Sequence, residues 1–292
     1  MADIIFQPRY QPCILLHKNS IPCSIWFEDV LVYYGVPTAT FELYLIVPDI
    51  DQAAEVLAQC GWTLLTAAPA KVGTAVVDTQ QRRLVPPMFK TKPYQPPQKT
   101  SIPPPPSQDP PRATETVLLP ANDWNFTFSE AKHRPGNLGL FPDLPEFLDA
   151  LIDSLLDTSL DQSMLWGHIA CQIVYLYGYN STIQDRSFAE HLRYEHRQYH
   201  LDSLSGMRTG TAHFIKHQRK IREALNQGSF TLCECSASRD REDLFPERRE
   251  RELLRKMMER SENYEVGGGA DGDSNNSGGS GSSRALDRLL CH

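Results

Sequence analysis

Acidic residues flank one strongly apolar stretch of the chain. Residues 41–51 read FELYLIVPDID, so Glu42 stands at the start of an apolar run, and Asp49 and Asp51 follow its end. Carboxylate oxygens are the ligands that Mg²⁺ prefers in proteins, and a bound Mg²⁺ neutralises phosphate charge. Glu42, with Asp49 or Asp51, is therefore a candidate catalytic and metal-binding set. Helix capping is the favoured role for at least one of the two aspartates, because they follow a proline and directly precede a helical pattern.

Histidines give a second candidate metal site. His196 and His200, and again His213 and His217, are spaced four residues apart, which places each pair on one face of a helix. Two such helices side by side would bring four imidazoles together. The residues around them are cationic and oppose a bound cation, which favours a solvated, basic surface instead. These cationic residues are Arg193, Arg197, Lys216, Arg219 and Lys220.

The apolar run is predicted to be a central strand. Residues 41–47 are aromatic, β-branched or leucine apart from one glutamate, and their near-continuous apolarity indicates burial on both faces. A strand at 24–27 precedes it, with a helix that opens at Glu28 and Asp29, since acids are favourable in a first turn. A helix follows at 52–60, and further strands are predicted at 62–65, 74–77 and 116–119.

The order of these elements predicts an α+β protein whose N-terminal part is α/β and whose C-terminal part is helical. Periodic apolar residues predict helices at 144–156, 164–177, 188–204 and 207–227, and residues 240–262 are so charged that an exposed helix is expected. The predicted domains are 13–126, 142–230 and 236–292. Disorder is predicted for the proline-rich insertion at 87–113 and for the Gly/Ser tail at 267–283, because neither can bury enough apolar surface.

The first domain resembles the nucleotidyltransferase fold in the order of its motifs. The residues that carry the resemblance are Ile25-Trp-Phe-Glu-Asp, Tyr34-Gly35, FELYLIV at 41–47, Pro48-Asp49 and Gly61-Trp62. The pattern is most similar to the branch that contains aminoglycoside 2''-adenylyltransferase-like proteins, and to fungal relatives of that branch. It covers about residues 13–85, with an extension to 116–124. The resemblance implies a mixed sheet with flanking helices, Mg²⁺-dependent nucleotidyl transfer and an appended helical domain.

Carried over residue by residue, the family's catalytic pattern is altered at three places. Two aspartates spaced two residues apart on a strand become Glu42 and Tyr44. A tyrosine side chain has a pKa of about 10 and is a poor Mg²⁺ ligand at neutral pH. The Gly-Gly turn becomes Glu28 and Asp29, which would repel a triphosphate. These two residues and Tyr44 are the substrate-binding positions that the resemblance implies. The third family carboxylate would fall at 117–119, where there is none.

Composition and charge argue against several other classes of protein. A net charge of -7 over 292 residues gives no reason to expect general nucleic-acid binding. The N-terminal residues MADIIFQPRY lack the pattern of a signal peptide, and no run of about 20 apolar residues predicts a membrane span. The seven scattered cysteines then indicate reduced thiols. Cys233 and Cys235 are too close in sequence for a usual zinc site. A cytoplasmic location is expected, and a nuclear one stays open.

Three functional hypotheses follow. The favoured one is a catalytically degenerate nucleotidyltransferase-like protein that acts by binding a nucleotide, a small molecule or a protein. The second is an active nucleotidyltransferase that uses Glu42 with Asp49 or Asp51, with Mg²⁺ and a nucleoside triphosphate as cofactors. The third is an interaction protein that recruits partners through residues 240–262 and the proline-rich insertion. A simpler alternative also stays open, in which 41–47 is only a core strand with Glu42 paired at its end.

Overall fold

The computed structural model describes residues 8–66, 69–87, 114–128 and 139–245. The chain forms two compact units, the first ending at Ser154 and the second beginning at Leu155. The first unit contains a mixed sheet with helices, and the described part of the second is helical, so the predicted α+β class is confirmed. The proline-rich insertion lies outside the described residues except for Pro87, and the Gly/Ser tail lies wholly outside them.

The first unit follows the predicted order of elements, with additions. Its helices are α1 (Gln11–Lys18), α2 (Glu28–Tyr33), α3 (Ile50–Gln59) and the first part of α4 (Leu144–Asp157). Its strands are β1 (Ser24–Trp26), β2 (Leu43–Val47), β3 (Thr63–Leu65), β4 (Lys71–Val72), β5 (Ala75–Val76), β6 (Arg82–Val85) and β7 (Thr116–Pro120). The sequence pattern predicts neither α1, β4 nor β6. These are short, and β6 begins with two arginines, which are not typical of a strand.

Five strands form the main sheet in the order β1-β2-β7-β6-β3, and β4 pairs with β5 as a separate hairpin. Strand β2 runs antiparallel to β1 and parallel to β7, and all five of its residues are buried. The prediction of a central strand buried on both faces is therefore confirmed for residues 43–47, but the strand begins two residues later than predicted, and Phe41 is 71% exposed. Burial of this kind is the reason the sequence carries almost no polar residue there.

One row of paired residues crosses this sheet from β1 to β3, in the order Trp26, Tyr44, Val117, Arg83 and Leu65. Residues paired across adjacent strands present their side chains to the same face, and so do residues two apart on one strand. Glu42, two residues before Tyr44, therefore belongs to the face that carries this row. The predicted site, Glu42 with Tyr44, therefore lies on this face at the start of β2.

Phe27 joins β1 to α2 in a backbone conformation that glycine adopts more readily. Its φ is 54° and its ψ is -125°, a region disfavoured for residues with a Cβ atom. The Phe27 ring is fully buried and makes edge contacts with the rings of Tyr44 and Trp124, at centroid distances of 5.2 Å and 5.0 Å. These contacts hold the strained backbone, because relaxing it would withdraw the ring from the core.

Replacing Phe27 by glycine and by alanine tests this strain. Both changes remove the buried ring and should lower the free energy of unfolding by about 3–5 kcal/mol. Glycine is ordinarily less stabilising than alanine by about 0.5–1 kcal/mol. Here the order is expected to reverse, because alanine keeps a Cβ atom in the strained region and glycine does not. Urea unfolding of the two variants measures the difference, and a glycine variant less stable than the alanine variant would contradict the prediction.

The second unit contains the end of α4, then α5 (Ser163–Tyr179), α6 (Tyr194–Leu204) and α7 (Ala212–Asn226). The predicted helix at 188–204 is interrupted, because Asp185 caps a short 3-10 turn at Arg186–His191 and an extended Leu192 follows it. The predicted helix at 207–227 begins later, because Thr211 accepts a hydrogen bond from Phe214 N and caps α7. Among the described residues, no helix is both long and apolar enough to cross a membrane.

Residues 231–245, here called the strap, lie against the helices of the second unit. Leu244 and Phe245 are buried, and the Leu244 carbonyl accepts a hydrogen bond from Arg208 N at 2.7 Å. The expected exposed helix at 240–262 is therefore wrong for its first six residues, which form turns. Burial of the leucine and the phenylalanine outweighs the charge of their neighbours there. The rest of that predicted helix lies outside the described residues.

Candidate functional site

Glu42 lies just before β2 and faces an arginine. Arg83 Nη2 is 3.9 Å from Glu42 Oε1, and Arg83 Nη1 donates to Glu115 Oε2 at 3.0 Å. The Arg83 side chain is only 12% exposed, whereas Glu42 and Glu115 are 31% and 36% exposed. A metal at Glu42 would need a second carboxylate beside it. Glu115 could supply one, but it is already bound to the Arg83 guanidinium. One guanidinium of the protein itself thus lies against both carboxylates and offsets one of their two negative charges.

Tyr44 occupies the next position on the same face and is a hydrogen-bond acceptor. Its Oη atom accepts from Gly73 N, in the turn of the β4–β5 hairpin, at 2.9 Å. Burial raises the pKa of the Tyr44 phenol to about 12, so the group is neutral at physiological pH. A neutral phenol occupied by a backbone amide is not a magnesium ligand. Its role is to fix the hairpin turn against β2.

Asp49 and Asp51 have other partners. The Asp49 side chain accepts from Asp51 N and Gln52 N at 2.9 Å and 3.0 Å, which is an N-cap of α3. Capping by Asp49 is therefore confirmed. Asp51 pairs with Arg82 on the surface at 2.7 Å. A proposal that either aspartate completes a metal site with Glu42 would require it to leave these contacts.

Asp29 stands where the resemblance implies a phosphate-binding turn. Its negative charge is paired with the positive charge of Arg9. The residue is 2% exposed. Its two carboxylate oxygens accept from Arg9 Nε at 2.7 Å and Arg9 Nη2 at 2.6 Å, and the Tyr10 hydroxyl donates to Oδ1 at 2.9 Å. Glu28, its neighbour, is half-buried at the start of α2. Asp29 therefore belongs to a buried ion pair and does not form an open anionic turn.

Arg9 is a site residue that sequence reasoning missed. Besides Asp29, its guanidinium donates to the carbonyls of Phe41 and Glu42 at 3.0 Å and 2.9 Å, and it lies 3.4 Å from the Thr114 hydroxyl. The residue thus ties the N-terminal segment to α2 and to the starts of β2 and β7. No sequence signal marked it, because its partners are 20 to 105 positions away along the chain.

Arg9 and Arg83 together place two guanidinium groups beside the positions that the resemblance assigns to a metal and to phosphate. The residues present there do not fit Mg²⁺, since the acids are held by arginines and the remaining position is a neutral phenol. Across the ranges that the structure describes, no group of three or more His, Cys, Asp or Glu side chains could hold a metal ion.

The four histidines of the second candidate site do not converge. His200 is fully buried, with Nδ1 2.9 Å from the Tyr177 hydroxyl and Nε2 3.1 Å from the Asp185 carbonyl. Burial lowers the pKa of His200, which favours a neutral ring whose Nε2–H donates to that carbonyl. His196 is also buried, whereas His213 is exposed. The solvated, basic surface expected here is therefore wrong for His196 and His200, which are buried. Aromatic rings and a backbone carbonyl contact His200.

A buried polar cluster that the sequence did not indicate lies between α6, α7 and the strap. Asp202 is fully buried and accepts from Gln198 Nε2 at 2.9 Å, from Gln218 Nε2 at 2.6 Å, and from both the amide (2.7 Å) and the hydroxyl of Ser236. His217 Nε2 lies 2.7 Å from the same hydroxyl. We call these residues the Asp202 cluster. Its hydrogen bonds fix the strap to the helix pair.

An open groove of about 510 Å³ lies beside the strap. It is lined by Arg186, Leu201, Leu232, Cys233 and Glu234. Arg186 and Glu234 form an ion pair across it at 3.1 Å. The groove contains both charges and apolar side chains but no arrangement of nucleophile and base, so it indicates no reaction.

No family model matches this chain, and neither a curated protein nor a solved structure matches it. The resemblance to nucleotidyltransferases accordingly stays a prediction from the motifs.

Proposed function

We propose that this chain is a catalytically degenerate nucleotidyltransferase-like protein, which acts by binding a partner and does not transfer nucleotides. The observation that supports this most directly is the Arg83 guanidinium, which pairs with Glu42 and Glu115. In a working site, carboxylates at this place would bind Mg²⁺, and the metal would neutralise the triphosphate. In this chain the Arg83 guanidinium lies beside these carboxylates instead of a metal ion.

The surrounding contacts support the same proposal. The positions of the phosphate-binding turn hold Asp29, whose charge is matched by Arg9 within a nearly dry environment. The second metal-ligand position holds Tyr44, whose hydroxyl binds the β4–β5 hairpin. A nucleotide entering at this face would have to break two ion pairs and displace the hairpin turn. Binding of a protein or of another small molecule at a different surface is therefore favoured over binding of a nucleotide here.

Thermal unfolding with magnesium and ATP tests the proposal. A ligand present at a hundred times its dissociation constant stabilises a protein by about 2.7 kcal/mol. For a unit of this size that would raise Tm by roughly 5–11 °C. We expect no such rise with Mg–ATP at millimolar concentration, for either the wild-type chain or Glu42→Ala. A parallel assay with radiolabelled ATP and Mg²⁺ or Mn²⁺ is expected to give no transfer.

The control variant is Glu55→Ala, which removes an exposed carboxylate on α3 and leaves both arginines paired. The proposal fails if Mg–ATP raises the Tm of the wild-type and Glu55→Ala chains by several degrees and Glu42→Ala abolishes that rise. That pattern would establish Glu42 as a metal ligand. It would support the active enzyme with Mg²⁺ and a nucleoside triphosphate as its cofactors.

A further inference from the structure

Two cysteines of the strap flank Glu234. Cys233 is exposed and lines the open groove, and Cys235 is half-buried. The Cys233 thiol donates to the Cys235 carbonyl at 3.4 Å, and the Cys235 thiol donates to the Ala237 carbonyl at 3.3 Å. A thiol is a weak hydrogen-bond donor, so these contacts cost little to break. A reagent dissolved in the solvent can therefore reach Cys233, and Cys235 follows only two residues later.

The backbone that carries these thiols is held by α6 and its C-terminal cap residue, Ser205. The Cys233 amide donates to Gln198 Oε1 at 2.9 Å, and the Glu234 carbonyl accepts from Ser205 Oγ at 2.8 Å. On the other side, the amide and the hydroxyl of Ser236 bind within the Asp202 cluster. The strap is thus attached before, between and after the side chains of its two cysteines.

Joining the two sulfurs would change this arrangement. In the reduced chain each thiol is bonded to a carbonyl and not to the other thiol. A disulfide requires Cβ atoms about 3.5–4.5 Å apart and a defined torsion about the S–S bond. Between residues two apart, it closes a small ring that contains both peptide groups of Glu234. These groups must turn for the ring to close, and the Glu234 carbonyl then leaves the Ser205 hydroxyl.

Thiol–disulfide exchange supplies a balanced route to this ring. The Cys233 thiolate attacks one sulfur of a low-molecular-weight disulfide, RSSR, forms a mixed disulfide and releases RS⁻. The Cys235 thiolate then attacks Cys233 Sγ and releases the second RS⁻. Each RS⁻ takes up a proton lost by one cysteine, so RSSR is reduced to two RSH while the two cysteines are oxidised. The pair needs no catalytic base, because the thiolates themselves are the nucleophiles.

We propose that Cys233 and Cys235 are a redox-sensitive pair, which a low-molecular-weight disulfide oxidises to a disulfide within the strap, and that this oxidation loosens the strap from α6. The coupling is reciprocal. The hydrogen bonds that hold the reduced strap oppose oxidation, and oxidation weakens the same bonds by the same factor. This inference is independent of the proposed function, because every residue in it belongs to the second unit.

Mass spectrometry of the full chain after equilibration with oxidised glutathione tests the pair. The tryptic peptide 223–239 contains both cysteines and no other. We expect this peptide to lose two hydrogens and to resist alkylation, whereas in Cys235→Ser it should retain glutathione on Cys233. Cys60→Ser removes an exposed thiol of the first unit and should change neither result. Burial raises the pKa of the Cys233 thiol, so the incubation is run at about pH 8.5 to supply thiolate.

Two serine variants test the coupling to the strap. Ser205→Ala removes the hydroxyl that binds the Glu234 carbonyl, whereas Ser203→Ala removes a hydroxyl that binds the Tyr199 carbonyl within α6. A hydrogen bond lost from the reduced chain alone makes oxidation easier. In Ser205→Ala the midpoint of oxidation, expressed as [GSH]²/[GSSG], is therefore expected to rise by about two- to tenfold. Ser203→Ala should leave that midpoint at the wild-type value.

Three results would overturn the proposal. The first is a wild-type peptide 223–239 that carries glutathione at equilibrium and has no internal disulfide. The second is a peptide that stays fully reduced while Cys60 becomes modified under the same conditions. The third is an equal midpoint for Ser205→Ala and Ser203→Ala, since the ring would then form without loosening the strap.

Discussion

Replacing Asp202 by alanine is expected to lower the free energy of unfolding of the second unit by about 3–5 kcal/mol. The change leaves the side-chain amides of Gln198 and Gln218 and the amide and hydroxyl of Ser236 without their acceptor. A buried donor without a partner costs about 1–3 kcal/mol. The variant also no longer buries a carboxylate, which offsets part of that loss. Urea unfolding followed by circular dichroism measures the change.

Two variants make this prediction specific. Asp202→Asn keeps the shape and one acceptor oxygen, so its effect should be intermediate. Glu234→Ala also removes one negative charge, but the Glu234 side chain, in the strap, is 81% exposed and pairs with Arg186 on the surface. Its effect should therefore be within about 1 kcal/mol. The prediction would be wrong if Asp202→Ala destabilised the protein no more than Glu234→Ala.

The second large effect is expected for Asp29→Ala, which should destabilise the first unit by about 3–5 kcal/mol. The Asp29 carboxylate is 1% exposed and binds Arg9 through both oxygens. Removing it leaves a guanidinium that is only 15% exposed without its counter-charge. The Tyr10 hydroxyl also loses its acceptor. Chemical unfolding of the variant checks the magnitude.

A double-mutant cycle separates the ion pair from the rest of the contact. Arg9→Met with Asp29→Leu replaces both charges by apolar groups, so part of the lost stability should return. Recovery is expected to be incomplete, because the carbonyls of Phe41 and Glu42 still lose their donor. Tyr10→Phe removes only one hydrogen bond and should cost less than Asp29→Ala. Strictly additive effects of the Arg9 and Asp29 changes would show that the two charges are not coupled.

Elements encoded by local pattern could be predicted from the sequence. The apolar run of β2 implied a central strand, and Asp49 before the helical pattern implied the cap of α3. Both depend on neighbours within a few positions, so composition and spacing suffice. The same holds for the α+β class, which follows from the order of the elements.

The contacts that fill the candidate site could not be predicted in this way. Arg83 reaches Glu115 across 32 positions of the chain, and Ser236 reaches Asp202 across 34. A sequence gives the charge of each residue but not which charges the fold brings together. For the i,i+4 histidines, the sequence predicted a solvated surface that the fold does not provide. Their spacing does place His196 and His200 together on α6, but the fold buries both side chains, and His200 has protein partners.

The Asp202 cluster also determines how much of the chain the helical unit needs. The carboxylate is buried between α6 and α7, but two of its four hydrogen bonds come from Ser236, which leaves the ribosome after both helices. A chain that ends at residue 230, the predicted domain boundary, would contain both helices and a half-satisfied buried charge. The helical unit therefore includes part of the strap, and it extends past α7 and past the predicted boundary at residue 230.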